Sequence, residues 1–565
     1  MKILKGMSLL PVLVLSAALV QSSPAQTLQV LTAGSSAQFG PFAVAAWQLA
    51  KAGNVAAFHY TLKASAPCPG TSCYAWINDS RTVGSNTVPQ EPGNLWVVWS
   101  TNGIWAYLSV DSTVGVRALA AVPRAKLTMV AQASLPAAGA TKFTYWPDGG
   151  ANDTAMTTAV YTALNNAPIQ AANTDIRPED ALYATNRALN TLGYGSVADP
   201  RSGHSGQFLI GNPIKSHFSG AIANPVSFAI AGGADPMSGT VGPALVTIPI
   251  GAAPIIFVAS TATGSTVAAA TNVTSANAAS LFSGLGNCAA ALVTGATGVI
   301  DPVLREPLSG TMNTTEFTVF RPGDPSGTSS QETGVSATAN NPLAKACGTG
   351  FRYRGVGTGD VVNNVIATPN TLGYAFFSYE GTAGGKTDRY LKLNSIDGIS
   401  GTYTNGALPA CPVVNGAYSC PIANGKSFPT LRNGTYSAWS IYRIVTDSTH
   451  QANVQKLVTQ AQLSVNANIP NFVPFTPVCG TAVGTTNDPG LAVWREHYVP
   501  STITTIPDTI SITPNDGSKG ATVTCKIVKG TYPSLTYGGG TEAGGDVGGL
   551  IQVNPASPLT ESSPH

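Results

Sequence analysis

The chain has 565 residues and a formal net charge of +2, from 29 Lys and Arg against 27 Asp and Glu. This length excludes one small domain, and it predicts two or more domains because single cores rarely grow past about 250 to 300 residues. Near neutrality also excludes a global field for binding nucleic acid, so any anion must be bound locally. Only 10% of residues are charged, while 60 are Gly and 40 are Pro. Such a composition favours many turns and short strands, and the 43% apolar content argues against wholesale disorder.

The N-terminal segment, residues 1–25, has the pattern of an export signal. Two lysines precede an apolar run from 7 to 20, and Ser23 and Ala25 have the spacing that signal peptidase prefers. A membrane anchor is the alternative, but the run is short for a span of about 20 residues. We therefore expect a freely soluble exported protein, periplasmic or extracellular.

The predicted elements of the mature chain begin with a strand, Leu28 to Thr32, a Gly-Ser-Ser turn and a helix. The region from about 54 to 138 has a different character, with aromatic and β-branched runs around Asn102-Gly103, a dipeptide that favours a hairpin turn. This pattern predicts an inserted β-rich subdomain. The tryptophans of the hairpin could stack on sugars, but packing in the hairpin core is the favoured interpretation.

The next elements alternate between strands and helices, which is typical of a layered α/β fold. A strand from Lys142 leads to a turn at Gly149 and Gly150, and Asp175 ends a further strand before a helix. The run VTIPIGAAPIIFVAS from 246 is apolar throughout, as in strands buried on both faces, and could carry the chain into a second lobe. The segment NTLGYAFFSYE could return it.

The last part of the chain, beyond residue 400, is rich in loops apart from a helix at HQANVQKLVTQAQL. A Gly-rich tail from about Gly538 is expected to be disordered. Eight cysteines without a CxxC or a zinc-like spacing favour disulfides in an oxidising compartment. Their pairing cannot be deduced, although Cys68 with Cys73 and Cys411 with Cys420 would close small loops.

The stretch REPLSGTMNTTEF places Arg305 just before a Ser-Gly-Thr turn that opens a short helix. The N–H groups of such a turn and the helix dipole favour an anion, and the Arg305 guanidinium fits two oxygens of a tetrahedral anion. The alternative is that Ser309 is a helix N-cap and Arg305 a solvated side chain. Similar strand-to-helix junctions recur at Gly34-Ser35-Ser36, Gly149-Gly150 and Thr174-Asp175. In open α/β sheets, ligands bind at the carboxyl ends of strands.

These motifs resemble those of the phosphate-binding proteins of ABC transporters, a family of two-lobed extracytoplasmic solute-binding proteins. The family's Arg-x-x-x-Ser-Gly-Thr motif matches Arg305, Ser309, Gly310 and Thr311, and its first-strand loop is similar to TAGSSAQF. TLGYAFFSYE and FPTLRNGTYSAWSIYRI are similar to later family segments. The family's Ser-rich loop appears here as PDGGAND, where one hydroxyl donor is missing unless Asn152 replaces it. By this resemblance the ligand-binding residues are Ser35, Ser36, Phe39, Gly149, Gly150, Asp175, Arg305, Ser309, Gly310 and Thr311.

The resemblance implies an α/β, two-lobed periplasmic-binding-protein-like fold with the β-rich insertion. Lobe 1 would comprise residues 26–250 and 381–537, lobe 2 residues 251–380, and the tail residues 538–565. The protein would capture phosphate or a similar tetrahedral oxyanion in the interlobe cleft, with no enzymatic chemistry and no cofactor, and an ABC permease is a possible partner.

Asp175 beside a bound anion would be repulsive unless the anion carries a proton. A carboxylate can accept a hydrogen bond from hydrogen phosphate, whereas sulfate has no proton to offer at neutral pH. Asp175 would therefore select phosphate over sulfate. Alternatively, Asp175 simply caps the helix of IRPEDALYATNRAL.

Other motifs point to different classes of protein. EGTAGGKTD has its first Gly one residue too close to Gly385-Lys386-Thr387 for a nucleotide loop, and GVGTGD, residues 355–360, is interpreted as a loop. A hydrolase could use Asp199, His204 and Ser205, but the chain lacks a Gly-x-Ser-x-Gly elbow at that serine. The alternatives to a solute-binding protein are thus a secreted phosphoester hydrolase and a cell-surface interaction protein that keeps the fold without a ligand.

Overall fold

The structure is a computed structural model. Up to residue 320 it describes residues 26–60, 74–80, 82–83, 86–87, 91–137, 143, 146–178, 181, 238–305 and 308–320. From there to residue 475 it describes 345–355, 357–380, 388–399, 413–414, 417–418, 427–432, 434–467 and 471–475, and beyond 475 only the strands given below. The predicted export signal, the two small cysteine loops, most of EGTAGGKTD and the loop from Asp199 to Ser205 lie outside the described residues.

The described strands are numbered in chain order. They are β1 Leu28–Ser35, β2 Ala56–Tyr60, β3 Ala75–Asn78, β4 Thr82–Val83, β5 Asn86–Thr87, β6 Glu91–Pro92, β7 Asn94–Ser100, β8 Gly103–Val110, β9 Lys126–Met129, β10 Ala171–Thr174, β11 Leu245–Ser260, β12 Asn272–Val273, β13 Val293–Thr294, β14 Asp301–Arg305, β15 Lys345–Cys347, β16 Gly350–Gly355, β17 Thr371–Phe376, β18 Asp388–Leu393, β19 Val413–Val414, β20 Ala417–Tyr418, β21 Trp439–Asp447, β22 Val473–Pro474, β23 Val493–Glu496, β24 Thr509–Ile512, β25 Val523–Ile527, β26 Leu535–Tyr537, β27 Gly540–Glu542 and β28 Val547–Gln552.

The helices that the structure describes in full are α1 Phe39–Ala50, α2 Ser112–Ala120, α3 Thr158–Leu164, α4 Ser275–Ser283, α5 Gly310–Thr315, α6 Gly357–Ala367, α7 Phe377–Glu380, α8 Pro429–Arg432 and α9 Gln451–Ala467. Single 3-10 turns occur at Ser36–Gln38, Gln132–Ser134 and Ala290–Leu292, and a π-helical turn, Glu316–Phe320, extends α5. None of the described helices is long and apolar enough to cross a membrane.

One large sheet contains most of the long strands, in the order β15-β16-β14-β17-β11-β21-β10-β1-β8-β7-β2. Its central strand β11 is the predicted apolar strand, and its second half is buried on both faces. Residues 245–254 of β11 pair with β21, and residues 255–259 pair with β17. We call the strands on the β21 side the first strand group, and those on the β17 side the second. The predicted α/β fold class is confirmed, and the division into two lobes stays a prediction.

Each strand group has a parallel core. In the first group β1 is parallel to both β8 and β10, and in the second β14 is parallel to both β16 and β17. Because parallel strands end at the same edge of a sheet, their carboxyl ends lie together. Helices α1, α2, α5 and α6 begin just after β1, β8, β14 and β16.

The predicted hairpin forms, with Ser100 paired to Gly103 across the turn. Its strands β7 and β8 extend the large sheet, because β8 pairs in parallel along most of β1. Within the range 54–138, β3, β6 and β9 form a separate three-stranded sheet. Side chains from both faces of β7 are buried, including Leu95 and Trp96, which explains why the hairpin lies inside the fold.

Three local predictions differ from the structure. Trp146, in the strand predicted before Gly149, belongs to no strand and packs against Phe143, with ring centroids 4.8 Å apart. GVGTGD is not a loop throughout, because α6 begins at Gly357 directly after β16; Gly357 has φ 77° and makes the turn, and the apolar side of the helix follows from Val361. In the tail predicted to be disordered, β28 pairs with β23 and β25.

The described cysteines include one disulfide, between Cys288 and Cys347, with Cα atoms 5.3 Å apart. It links the segment after α4 to β15, across 59 residues of sequence. A disulfide is therefore present, as the cysteine pattern predicts, although the sequence did not identify this pair.

Candidate functional site

Polar side chains from both strand groups meet where the parallel strands end. The first group contributes residues after β1, β8 and β10, and the second contributes residues after β14 and β16. We call this set the polar cluster; it consists of Ser35, Ser36, Asp111, Ser112, Asp175, Arg305, Ser309, Gly310, Thr311 and Thr358.

Arg305, the last residue of β14, is at the centre of the cluster and is 1% exposed. Its Nη1 donates to Oγ1 of Thr358 at 2.5 Å and to Oγ1 of Thr311 at 3.4 Å. Its Nη2 forms an ion pair with Oδ1 of Asp111 at 2.8 Å. The backbone N–H also donates to the Tyr374 hydroxyl. Arg305 is therefore a buried, positioned cation, and the alternative of a solvated side chain is wrong.

The Ser-Gly-Thr turn begins α5 as the sequence predicts. Ser309 caps the helix, since its Oγ accepts the N–H of Met312 at 3.3 Å. The N-cap interpretation is thus correct, but it does not separate Ser309 from the cluster. Gly310 is necessary for close approach, because a Cβ there would lie 2.4 Å from Oγ of Ser112 and 2.8 Å from Oδ2 of Asp175.

Asp175 follows β10 and is 1% exposed. Its Oδ1 accepts a hydrogen bond from Oγ of Ser35, and its Oδ2 accepts one from Oγ1 of Thr311 at 3.5 Å. Its own N–H donates to Oγ of Ser112 at 3.2 Å. Burial raises the pKa of Asp175 to about 6, although the Ser35 hydroxyl and the Arg305 charge act to lower it. The carboxyl therefore joins the two strand groups through Thr311.

The first-strand turn contributes two hydroxyl groups with different partners. Oγ of Ser35 accepts the N–H of Ala37 at 3.1 Å, in addition to its bond to Asp175. Oγ of Ser36 lies 2.7 Å from Oγ1 of Thr358, so the turn also contacts the second strand group. Thr358 thus has both Arg305 and Ser36 as partners.

A buried network behind the cluster fixes β1 against β10. Nε2 of Gln38 donates to the Thr174 carbonyl at 2.8 Å, and Oε1 of Gln38 accepts from Nδ2 of Asn173 at 2.7 Å. Oγ1 of Thr32 donates to Oδ1 of the same asparagine at 2.6 Å. These bonds hold the strand ends that carry Ser35 and Asp175.

The structure does not bring three of the predicted residues to the cluster. Gly149 and Gly150 lie in a turn that leads to Asp153, which pairs with Ala57 of β2, the edge strand of the large sheet. The ring of Phe39 packs edge-on against Tyr107, with centroids 5.4 Å apart, and its N–H donates to the Ser36 carbonyl. Phe39 is thus a core residue that supports the first-strand turn.

Three cluster residues were not predicted: Asp111, Ser112 and Thr358. The sequence after β8, VDSTVG, has the Asp-Ser-Thr pattern of a strand-to-helix junction. This pattern could have identified Asp111 and Ser112. It was missed because the hairpin was assigned to an insertion. Thr358 was missed because the glycines around it suggested a loop.

The chemistry of the cluster suits an oxyanion. Its described contacts combine a guanidinium, several hydroxyl groups and the first turns of three helices, all of which can donate to negatively charged oxygens. Two carboxylates, Asp111 and Asp175, can accept from an O–H group. Within the described part of the chain, no group of three or more His, Cys, Asp or Glu could hold a metal ion.

Comparisons with known proteins gave no family model that matches the chain and no curated protein that is similar in sequence. Solved structures gave weak likenesses. A phosphate-binding protein from Stenotrophomonas maltophilia has a TM-score of 0.29 at 15% identity, over 63% of this chain and 77% of that one. A high-affinity periplasmic phosphate-binding protein, PfluDING, scores 0.28 at 13% identity, over 69% and 84%. An ABC-type phosphate transport receptor from Vibrio cholerae scores 0.23 at 12% identity, over 40% and 73%. Because these TM-scores are low, the function has to be inferred from the geometry of the polar cluster.

Proposed function

We propose that this chain is an exported solute-binding protein that holds phosphate, or a similar tetrahedral oxyanion, between the two strand groups at the polar cluster. The single observation that carries the proposal is the buried guanidinium of Arg305, held by Thr311 and Thr358 at the meeting point of the groups. Asp111 already compensates the charge through one edge of the guanidinium, and the edge that faces the Thr311 and Thr358 hydroxyls would donate to the oxygens of an anion.

The contacts that now join the groups would become ligand contacts. Thr311 donates to Asp175, and Oγ1 of Thr358 lies 2.7 Å from Oγ of Ser36, so both hydroxyls already lie between the strand groups. An anion entering there would receive hydrogen bonds from Arg305, Thr311 and Ser35, together with the N–H groups of the first turn of α5. Binding would therefore accompany closure of the two groups.

Asp175 gives the proposal its specificity. A carboxylate cannot donate, so a ligand oxygen that contacts it must carry a proton. Phosphate has such a proton near neutral pH and sulfate does not, and a site built around a specific hydrogen bond rejects analogues that lack it. Phosphate is accordingly the proposed ligand.

Delivery of the anion to an ABC permease after export would be the cellular role. Two alternatives remain distinguishable by experiment. A secreted phosphoester hydrolase would release phosphate from a phosphomonoester, and an interaction protein that keeps the fold would bind no oxyanion.

Isothermal calorimetry of the mature chain with phosphate, arsenate and sulfate tests the proposal. We expect binding of phosphate and arsenate and much weaker binding of sulfate. Bound phosphate should also raise the free energy of unfolding by about 2.7 kcal/mol at about 100 times its dissociation constant. If none of the three anions binds or stabilises the protein, the proposed function is wrong.

A further inference from the structure

Asp111 is a second carboxylate in the polar cluster, separate from Asp175. It is the single residue between β8 and α2, and its side chain is 14% exposed. Its Oδ1 lies 2.8 Å from Nη2 of Arg305, which belongs to the other strand group. The next residue, Ser112, accepts the N–H of Asp175. Asp111 thus contacts Arg305, and Asp175 contacts Ser35 and Thr311, so each carboxyl group lies against a residue that the proposed oxyanion would contact.

The charge balance of this space is unfavourable for a dianion. The described contacts bring one cation, Arg305, against two carboxylates, Asp111 and Asp175. In the part of the chain that the structure describes, Tyr107 and Tyr442 also face Asp175, and burial raises the pKa of both phenols well above the ordinary value, which keeps them neutral. Asp111 thus offsets the positive charge of Arg305 before any ligand arrives.

The number of hydrogen-bond acceptors in the cluster also favours a ligand with more protons and less negative charge. Each ionised carboxylate is an acceptor only, so a ligand oxygen that contacts either of them must carry a proton. Hydrogen phosphate carries one O–H group, which Asp175 would take. Dihydrogen phosphate carries two, one for each carboxylate, and has one negative charge fewer.

We propose that Asp111 makes this site select the oxyanion in its doubly protonated, singly charged form, dihydrogen phosphate. This inference rests on the proposed function and adds to it a ligand protonation state and the residue that sets it. Asp111 is then a specificity-determining residue, which accepts from Arg305 through one oxygen and from the ligand through the other.

A merely structural role for Asp111 makes a different prediction. If Asp111 only orients the guanidinium, its replacement would change phosphate affinity by a similar factor at every pH. If it contacts a ligand proton, its replacement would change how affinity depends on pH. The pH profile therefore separates the two roles.

The experiment measures phosphate affinity by calorimetry at several pH values, with the wild type, Asp111→Asn, Asp111→Glu and the control Asp148→Asn. Asp148 accepts the N–H groups of Gly150 and Asn152, away from the cluster. From about pH 6.5 to about pH 8.5 the wild type and the control should lose affinity by about tenfold or more, because dihydrogen phosphate loses a proton within this range and selection of one extra proton costs up to about tenfold per pH unit. Burial raises the pKa of Asp175 to about 6, so that carboxyl is mostly ionised over this range, and it is present in all four proteins.

Asp111→Asn should flatten the profile and bind phosphate more tightly than the wild type at the alkaline end, because an amide can donate to an unprotonated oxygen. Asp111→Glu keeps a carboxylate and should keep the slope. A urea unfolding curve for each variant shows that it is folded. An equal slope in the wild type and Asp111→Asn would overturn this inference alone. Absence of phosphate binding by the wild type at every pH would overturn the proposed function and this inference together.

Discussion

The backbone of Gly310 lies directly against the carboxyl group of Asp175, where a methyl group would come within 2.8 Å of Oδ2. Gly310 begins α5 in the second strand group, whereas Asp175 follows β10 in the first. This contact brings the two strand groups together at the polar cluster.

Replacing Gly310 with Ala should weaken phosphate binding by about 1 to 3 kcal/mol, because the added methyl group forces the cluster apart. Calorimetry measures the effect. The matched control is Gly242→Ala, whose Cβ would meet Cγ2 of Val122 no closer than 3.2 Å. Equal affinities for Gly310→Ala and the control would show that this contact is not needed for binding.

Replacing Arg305 with Ala should weaken phosphate binding by at least about 1.5 to 3 kcal/mol, the value of a hydrogen bond to a charged group. Arg305→Lys keeps the charge but loses the planar fork, so it should recover part of the affinity. Arg389, which is exposed and donates to the Ala268 carbonyl, gives the control Arg389→Ala. An unchanged affinity in Arg305→Ala would place the anion site elsewhere.

Replacing Asp175 with Asn should reduce the preference for phosphate over sulfate more than it reduces the affinity for phosphate. The amide can donate to an unprotonated oxygen, so sulfate should gain relative to phosphate. If Asp175 were only a helix cap, Asn would serve nearly as well and the ratio of affinities would stay constant. Competition of sulfate against phosphate near pH 7, for both proteins, decides between these outcomes.

The stability of the ligand-free protein should depend on the ionisation of Asp175. Burial raises the pKa of Asp175 from 3.8 to about 6, so the folded state holds this proton more tightly than the unfolded state. The protonated carboxyl therefore contributes to the free energy of unfolding. This contribution is complete below about pH 4 and is lost as the pH rises through about 6. Over this range the wild type should lose on the order of 3 kcal/mol relative to Asp175→Asn. Urea unfolding of both proteins measures the difference, and parallel curves of stability against pH would contradict it.

The protein should contain no free reactive thiol. Mass spectrometry without reductant should give a mass lower by eight protons than that of the reduced chain, which has eight cysteines. A peptide containing the linked Cys288 and Cys347 should appear in the non-reduced digest. Labelling of several cysteines in the native protein by a thiol reagent would count against both the disulfides and export.

The sequence predicted much of the cluster because its signals are local. Gly-Ser-Ser after β1, Asp175 after β10 and Ser-Gly-Thr after β14 each need only a strand end and a helix start, which a few neighbouring residues encode. The same reasoning selected Gly149 and Gly150, whose turn has the right composition but leads to a residue paired with the edge strand β2. Local composition does not distinguish a junction at the sheet centre from one at its edge.

The chain by itself determined the type of residue at each junction, the apolar strand β11 and the glycine that allows close approach at residue 310. The tertiary structure decided which junctions meet. Asp111 and Thr358 lie 194 and 53 residues from Arg305 in sequence, and only strand order brings them to its guanidinium. Strand order depends on the pairing of distant segments, above all of β8 with β1 and of β16 with β14. Local propensity does not specify such pairing, because its free energy comes from packing of whole strands.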